Sequence, residues 1–185
     1  MKPTVPVVQK KFANEQEYFL FEEKTDSKHE LVNGNLIAMN GVSFEHNEIT
    51  LTMAVLLKQL LKGAKWKIAI EAVKAKTPEG NFFYPDLMVC HPNPDKFFSA
   101  QPVLLIEVLS PSTRKYDMVD KFLQYQKIEA LQYVLCIEPE QQAVIFYYRD
   151  AEKNWQADTY TKETDVIKLP QLNINFTLKQ IYKPD

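Results

Sequence analysis

The chain has 185 residues, of which 45% are hydrophobic and 25% are charged, so its composition favours one ordinary globular domain spanning residues 1–185. Its formal net charge is −2 and its pI is about 6.0. These values exclude a global basic field for nucleic acid, and any such binding has to use a local patch.

Cysteine and histidine usage argues against structural zinc. Cys90 and Cys136 each lie in an apolar run, which predicts two buried thiols. No Cys-x-x-Cys motif or Cys/His cluster is present, and the three histidines are scattered along the chain. The first residues lack the apolar core of a signal peptide, and no apolar run has the length of a membrane span. We therefore expect a cytoplasmic protein with no membrane partner.

The N-terminal half predicts a loose lead, two helices and a hairpin. Residues 1–11 form a polar, proline-containing lead, and residues 15–24 favour a short helix with an acidic first turn. Asn33 and Gly34 separate two apolar runs, a strong hairpin signal because a type I′ turn needs positive φ at both central residues. Apolar residues then recur at helical spacing over residues 43–62, with Ser43 as the N-cap.

The remaining segments predict a central sheet. Residues 66–76 alternate as one β-strand, and residues 82–90 and 103–109 are two apolar central strands. Residues 117–127 favour a helix. The rest of the chain predicts a buried strand over 132–137, its hairpin partner over 143–149, an edge strand over 155–161 and a closing segment over 169–182. This order predicts an α+β or mixed α/β fold with a central mixed sheet flanked by helices.

Two carboxylates stand in the apolar strands. Asp86 and Glu107 each occupy a position where a buried strand disfavours charge. If the two strands are neighbours, both side chains can meet at one end of the sheet, where paired oxygen ligands suit Mg²⁺ or Mn²⁺. The alternative is that Asp86 caps a turn and Glu107 pairs with a lysine.

The helix that follows carries a polar stripe. Asp117, Lys121 and Tyr125 fall within an arc of about 80° at helical spacing. The adjoining arc is apolar and is expected to pack on the sheet; its members are Met118, Val119, Phe122 and Leu123. Asp117 and Lys121 therefore either extend the carboxylate site or form a simple i,i+4 ion pair.

These motifs resemble a known family. Tyr84-Pro85-Asp86, the string from Leu104 through Glu107-Val108-Leu109-Ser110 to Thr113, and the downstream Asp117, Lys121 and Tyr125 are similar to the Uma-type putative restriction endonucleases of the PD-(D/E)XK nuclease-like superfamily. The hairpin from His29 to Leu36 is similar as well. The resemblance implies a restriction-endonuclease-like fold and a metal site at Asp86 and Glu107.

The resemblance also implies roles for further residues. Glu30, in the first hairpin, and His46, in the following helix, become members of the site. The superfamily has a lysine two residues after the second carboxylate, where this chain has Leu109. Lys121 is the candidate for a migrated replacement, and Lys115 is a weaker one.

The function expected from this resemblance is metal-dependent hydrolysis of phosphodiester bonds, with DNA as substrate. Asp86, Glu107, Lys121 and Glu30 are the expected catalytic residues, and Mg²⁺ or Mn²⁺ the expected cofactor. A phosphate backbone could face a local excess of five positive charges, contributed by Lys58, Lys62, Lys65, Lys67, Lys74 and Lys76 against Glu71; the alternative is ordinary solvated lysines.

Two other functions remain open at this point. Leu109 and the acidic balance favour a catalytically degenerate nucleic-acid-binding module on the same fold. The apolar strands within residues 143–160 favour a homodimer whose strands pair across an interface. Metal binding separates the nuclease from both alternatives.

Overall fold

The computed structural model describes residues 7–8, 12, 14–92, 94–111 and 114–184. The expected lead of residues 1–11 lies outside the described residues, apart from Val7–Val8, which form strand β1. The described helices are α1 (Glu15–Glu22), α2 (Phe44–Leu60), α3 (Phe122–Tyr125) and α4 (Leu178–Tyr182). The strands after β1 are β2 (His29–Val32), β3 (Asn35–Ala38), β4 (Lys67–Ile70), β5 (Lys74–Lys76), β6 (Phe82–Phe83), β7 (Leu87–Cys90), β8 (Phe98–Ser99), β9 (Pro102–Val108), β10 (Tyr133–Glu138), β11 (Ala143–Arg149), β12 (Trp155–Tyr160), β13 (Val166–Leu169) and β14 (Ile174–Thr177).

The strands form two six-stranded sheets and one small ribbon. One sheet has the order β12-β11-β10-β9-β7-β4, and we call it the large sheet because it carries the longest strands. The other sheet has the order β1-β3-β2-β6-β5-β8, and β13 pairs with β14. In the large sheet β9 and β10 are parallel, whereas the other neighbours are antiparallel. The prediction of an α+β fold with a mixed sheet is confirmed.

The large sheet is covered on both faces. On one face, α2 and α4 pack with the even-numbered side chains of β9, and Met53, Leu57 and Leu104 are fully buried there. On the other face, α3 and the second sheet pack with Leu105 of β9, and Tyr125 of α3 is fully buried there. Each such side chain contributes about 1.5–3 kcal/mol on burial. Alternation along β9 therefore points Glu107 towards α3.

Two segments predicted as single strands each divide between the sheets. The segment 66–76 becomes β4 in the large sheet and β5 in the second sheet, with a bend between them where Glu71 has a φ of 48°. The segment 82–90 likewise becomes β6 and β7. Pro85 lies in the second break and has no N–H to donate to a strand ladder. Both predictions of one continuous strand were therefore wrong, and the two chain crossovers lie side by side.

The hairpin and the long helix follow their local signals. Asn33 and Gly34 have φ values of 51° and 78°, and Val32 pairs with Asn35 across the turn. The Ser43 side chain accepts a hydrogen bond from the backbone N–H of His46, which caps α2 as predicted.

Replacing Gly34 with alanine is expected to lower the free energy of unfolding by about 1 kcal/mol. An added Cβ meets nothing within 4 Å, so the whole cost is the positive φ of 78°. Urea denaturation measures the change. Gly41→Ala is the matched control, because its surroundings are equally open and its φ is not in the left-handed region. An equal loss in both variants would contradict the turn assignment.

Candidate functional site

Asp86 and Glu107 are adjacent because β7 and β9 are antiparallel neighbours. Leu87 pairs with Ile106 in this register. Because the strands are antiparallel, Asp86, which precedes Leu87, lies opposite Glu107, which follows Ile106. Both carboxylates are buried, with 9% of Asp86 and 2% of Glu107 exposed. The backbone N–H of Val108 donates to Asp86 Oδ2 at 2.6 Å, which fixes that carboxylate.

Lys121 enters the same cluster from the helical segment after β9. A π-helical segment, Tyr116–Lys121, runs directly into α3. Lys121 Nζ lies 2.9 Å from Glu30 Oε1, 3.2 Å from Asp117 Oδ1 and 3.5 Å from both oxygens of Glu107. The ammonium group is therefore shared among three carboxylates from three different elements.

The buried face of this helical segment matches the expected one only in part. Phe122 is buried and Met118 packs beside it, as predicted, but 45% of Val119 and 54% of Leu123 are exposed. Asp117 and Lys121 are buried instead, beside Tyr125. This orientation places Lys121 in contact with Glu30 and Glu107 and leaves two aliphatic side chains exposed.

Glu30 is held by two further donors besides Lys121. The backbone N–H of Tyr84 donates to Glu30 Oε1 at 3.0 Å, and the Tyr116 hydroxyl donates to Oε2 at 2.8 Å. Tyr84 belongs to the crossover that carries Asp86, so the same contact links strand β2 to the carboxylate pair. Glu30 thus has a fixed position among the charged groups.

The charges of this cluster do not balance. Burial raises the pKa of Glu107 well above its usual value, and Asp117 and Asp86 raise it further, while Lys121 and the Tyr125 hydroxyl oppose the rise. That hydroxyl donates to Glu107 Oε1 at 2.6 Å. Of four buried carboxylates, Lys121 contacts three, Glu30, Glu107 and Asp117, and the fourth, Asp86, contacts the His46 ring. A proton or a further cation is needed to offset them, so the oxygen donors present fit a divalent cation.

Burial and charge act in opposite directions on Lys121. Burial alone would lower the pKa of its ammonium group, but Glu107, Glu30 and Asp117 outweigh it and raise the pKa well above the usual value. Lys121 therefore stays protonated and acts as a fixed positive charge at neutral pH.

A second contact of Asp86 involves α2. His46 Nε2 lies 3.2 Å from Asp86 Oδ2, and only 4% of His46 is exposed. Burial alone would lower the pKa of His46, but the hydrogen bond and charge of Asp86 raise it. Glu71 completes a group: one ligand atom from each of His46, Glu71 and Asp86 lies within 4.8 Å of the others.

Glu71 was not among the predicted site residues, because it lies on a segment predicted as one continuous strand, where it has the pattern of an ordinary exposed charge. No local pattern distinguishes it, since its position depends on the bend between β4 and β5. Lys115 is exposed at the start of the π-helical segment, and within the described residues no hydrogen bond or ion pair joins it to the carboxylates. Leu109 is a buried core residue with 1% exposed.

A cavity of about 280 Å³ opens onto these groups. Its walls include Glu30, His46, Asp86, Glu107, Asp117 and Lys121. The cavity gives a substrate access to side chains that are otherwise buried.

The six lysines of the predicted basic patch do not all lie on one exposed surface. Lys58, Lys62, Lys65 and Lys67 are exposed. Lys74 is buried, with its ammonium 4.5 Å from the centre of the Tyr84 ring. Four of the six lysines therefore remain as a candidate phosphate-facing surface, since Lys76 pairs with Glu15 at 2.7 Å.

Within the described residues, no helix combines the length and apolarity needed to cross a lipid bilayer.

Two proteins of Synechocystis sp. are similar in sequence. The uncharacterized protein slr1290 is 30% identical over 172 residues, covering 91% of this chain and 90% of that protein. The uncharacterized protein sll1609 is 30% identical over 145 residues, covering 75% and 82%.

A solved structure shares the fold. The crystal structure of a putative nuclease belonging to DUF820 from Anabaena variabilis superimposes with a TM-score of 0.73 at 17% identity, covering 90% of this chain and 96% of that one. The Uma2 family, described as putative restriction endonuclease, matches residues 15–180. The chain therefore belongs to the Uma2 family of putative restriction endonucleases and has the restriction-endonuclease-like fold.

Proposed function

We propose that the protein is an Mg²⁺- or Mn²⁺-dependent endonuclease that hydrolyses phosphodiester bonds in DNA. One observation carries the proposal: a buried lysine from a separate helical segment lies 3.5 Å from Glu107, beside the paired carboxylates. Leu109 cannot supply the positive charge expected two residues after Glu107. Lys121 supports the proposal because it brings that charge to the same place by another route.

Each residue has a distinct role in this proposal. Asp86 and Glu107 hold the cation, which when bound polarises the phosphate and lowers the pKa of a water molecule. Lys121 orients the attacking water and offsets the negative charge that develops on the phosphate. Glu30 and Asp117 position Lys121 through their contacts of 2.9 Å and 3.2 Å. The cavity admits the scissile phosphate to these groups.

A cleavage assay of the purified protein tests the proposal. Plasmid DNA, single-stranded DNA and RNA are each incubated with Mg²⁺, Mn²⁺ or a chelator. We expect cleavage of DNA that requires the cation and falls by about 10²–10³-fold in Glu107→Gln. Asp120→Asn is the matched control, because Asp120 is an exposed carboxylate next to Lys121 in sequence. Cleavage that survives the chelator, or that Glu107→Gln leaves unchanged, would contradict the proposal.

A second candidate function is a catalytically degenerate nucleic-acid-binding module, which Leu109 favours. It predicts that the protein retains DNA in a mobility-shift assay and cleaves none of the substrates with either cation. Charge reversal at the exposed Lys58, Lys62, Lys65 and Lys67 would weaken that binding and reduce its salt dependence.

We also propose a cytoplasmic location and a homodimer. The location is supported by two buried free thiols, Cys90 and Cys136, which suit a reducing compartment. Strand β12 is the end strand of the large sheet and is largely exposed, so it is the part of the 143–160 segment that suits pairing with a second copy. Phe146 is buried within the protein and cannot serve that interface.

A further inference from the structure

His46, Glu71 and Asp86 form a donor group that the carboxylate pair does not account for. The three residues come from α2, the β4–β5 bend and the crossover before β7. Within the part of the chain that the structure describes, this is the one group of three or more His, Cys, Asp or Glu ligand atoms lying within 4.8 Å of one another. Glu107 is outside it.

The spacing suits a six-coordinate ion. With metal–ligand distances of about 2.1 Å, adjacent ligands are about 3.0 Å apart and opposite ligands about 4.2 Å apart. The separation of 3.2 Å between His46 Nε2 and Asp86 Oδ2 matches adjacent ligands. All three ligand atoms lie within 4.8 Å of one another, so side chains that bind one ion would have to move inward from the positions they have here.

The backbone around these donors is already fixed. The N–H of Glu71 donates to the Asp86 carbonyl at 3.1 Å, which joins the bend to the crossover. Ser43 caps the helix end that carries His46. His46 and Asp86 line the cavity, with 4% and 9% exposed, so a small ion can reach two buried donors.

We propose that His46, Glu71 and Asp86 bind a divalent transition-metal ion through one nitrogen and two oxygen donors. This site shares Asp86 with the proposed Asp86–Glu107 site and has two ligands of its own. An imidazole donor favours first-row transition ions over Mg²⁺, which prefers oxygen ligands and retained waters. The inference rests on the proposed function for its role in hydrolysis, whereas the binding itself does not require cleavage.

Electron paramagnetic resonance of Mn²⁺ with the intact protein tests the inference without nucleic acid. A pulsed spectrum of bound Mn²⁺ is expected to show coupling to an imidazole nitrogen that His46→Gln removes. Glu71→Gln is expected to weaken Mn²⁺ binding by about 10–100-fold, as measured by the signal of free Mn²⁺. An excess of Mg²⁺ should leave the nitrogen-coupled signal in place.

The chain offers matched controls for both ligands. His91→Gln removes a histidine whose ring makes an edge contact with Trp66, and Glu48→Gln removes an exposed carboxylate of α2. Both variants should keep the nitrogen coupling and the Mn²⁺ affinity of the wild type. Circular dichroism of all four variants confirms that each is folded.

The possible outcomes separate this inference from the proposed function. Absence of Mn²⁺ binding, bound Mn²⁺ without nitrogen coupling, or coupling that persists in His46→Gln would overturn the inference. If cation-dependent cleavage still requires Glu107 in any of those cases, the proposed function stands. Nitrogen-coupled Mn²⁺ without cleavage of any nucleic acid would support the site and reject the nuclease.

Discussion

Replacing Lys121 with methionine is expected to abolish detectable cleavage and to lower the free energy of unfolding by about 3–5 kcal/mol. The side chain is 5% exposed, and its ammonium group contacts Glu30, Glu107 and Asp117. Methionine fills a similar volume but leaves these buried carboxylates without a counter-charge. The stability loss is therefore electrostatic and does not depend on a cavity.

Mn²⁺ binding should behave differently from activity in this variant. Lys121 is not a ligand in the proposed function, and its removal leaves the carboxylates more negative. We expect Lys121→Met to bind Mn²⁺ at least as tightly as the wild type and to regain part of its stability when Mn²⁺ is added. Calorimetric titration and urea denaturation, each with and without the cation, measure both effects.

The matched control for Lys121→Met is Lys127→Met. Lys127 pairs with Glu79 at 3.2 Å, but both side chains are more than 40% exposed. An exposed pair contributes about 0–1 kcal/mol, so the control should cleave normally and lose little stability. Cleavage by Lys121→Met at the wild-type rate would remove this lysine from the mechanism.

Replacing Asp86 with asparagine is expected to reduce cleavage by about 10³-fold, equivalent to about 4 kcal/mol of transition-state stabilisation. The amide oxygen can still accept the hydrogen bond from Val108, so the crossover should keep its conformation. The variant should lose Mn²⁺ binding, because Asp86 belongs to both proposed cation sites. Asp120→Asn controls for a simple change of net charge. Mn²⁺ affinity equal to that of the wild type would exclude Asp86 as a ligand.

The same substitution has a pH signature in the metal-free protein. Asp86 holds the pKa of His46 above its usual value of 6.5, so Asp86→Asn should lower that pKa. In the wild type, the stability from this pair is fully present below the pKa of the unfolded chain and is lost as pH rises through the raised folded value. Asp86→Asn should lack this loss. Histidine NMR titration with a chelator present and urea denaturation at several pH values measure the two quantities.

Local signals in the sequence were sufficient for several elements. Asn33 and Gly34 specify their turn because positive φ is needed over two adjacent residues, and Ser43 caps α2 through a residue three positions away. Asp86 and Glu107 stood out because a carboxylate in an apolar strand needs a partner or a cation. Such signals depend on a few neighbouring residues, so they can be recognised without knowledge of the rest of the fold.

The sequence predicted only some of the residues in the buried cluster around Lys121. Lys121 and Asp117 were recognised from helical spacing and family resemblance. The predicted apolar face was right for Met118 and Phe122 and wrong for Val119 and Leu123, which are exposed. Hydrophobic periodicity measures the average tendency to leave water. It does not register that ionic contacts with distant carboxylates can outweigh that tendency at one position.

The tertiary structure alone decided where the long strands break and what the breaks bring together. Alternation predicted one strand over 66–76, yet its two halves pair with different sheets, and the bend brings Glu71 to Asp86 and His46. The amino-acid sequence thus determined the turns, the helix cap, the strand interiors and the identity of the unusual carboxylates. Which of those side chains share a site depended on pairing between segments far apart in the chain, and no local pattern encodes that pairing.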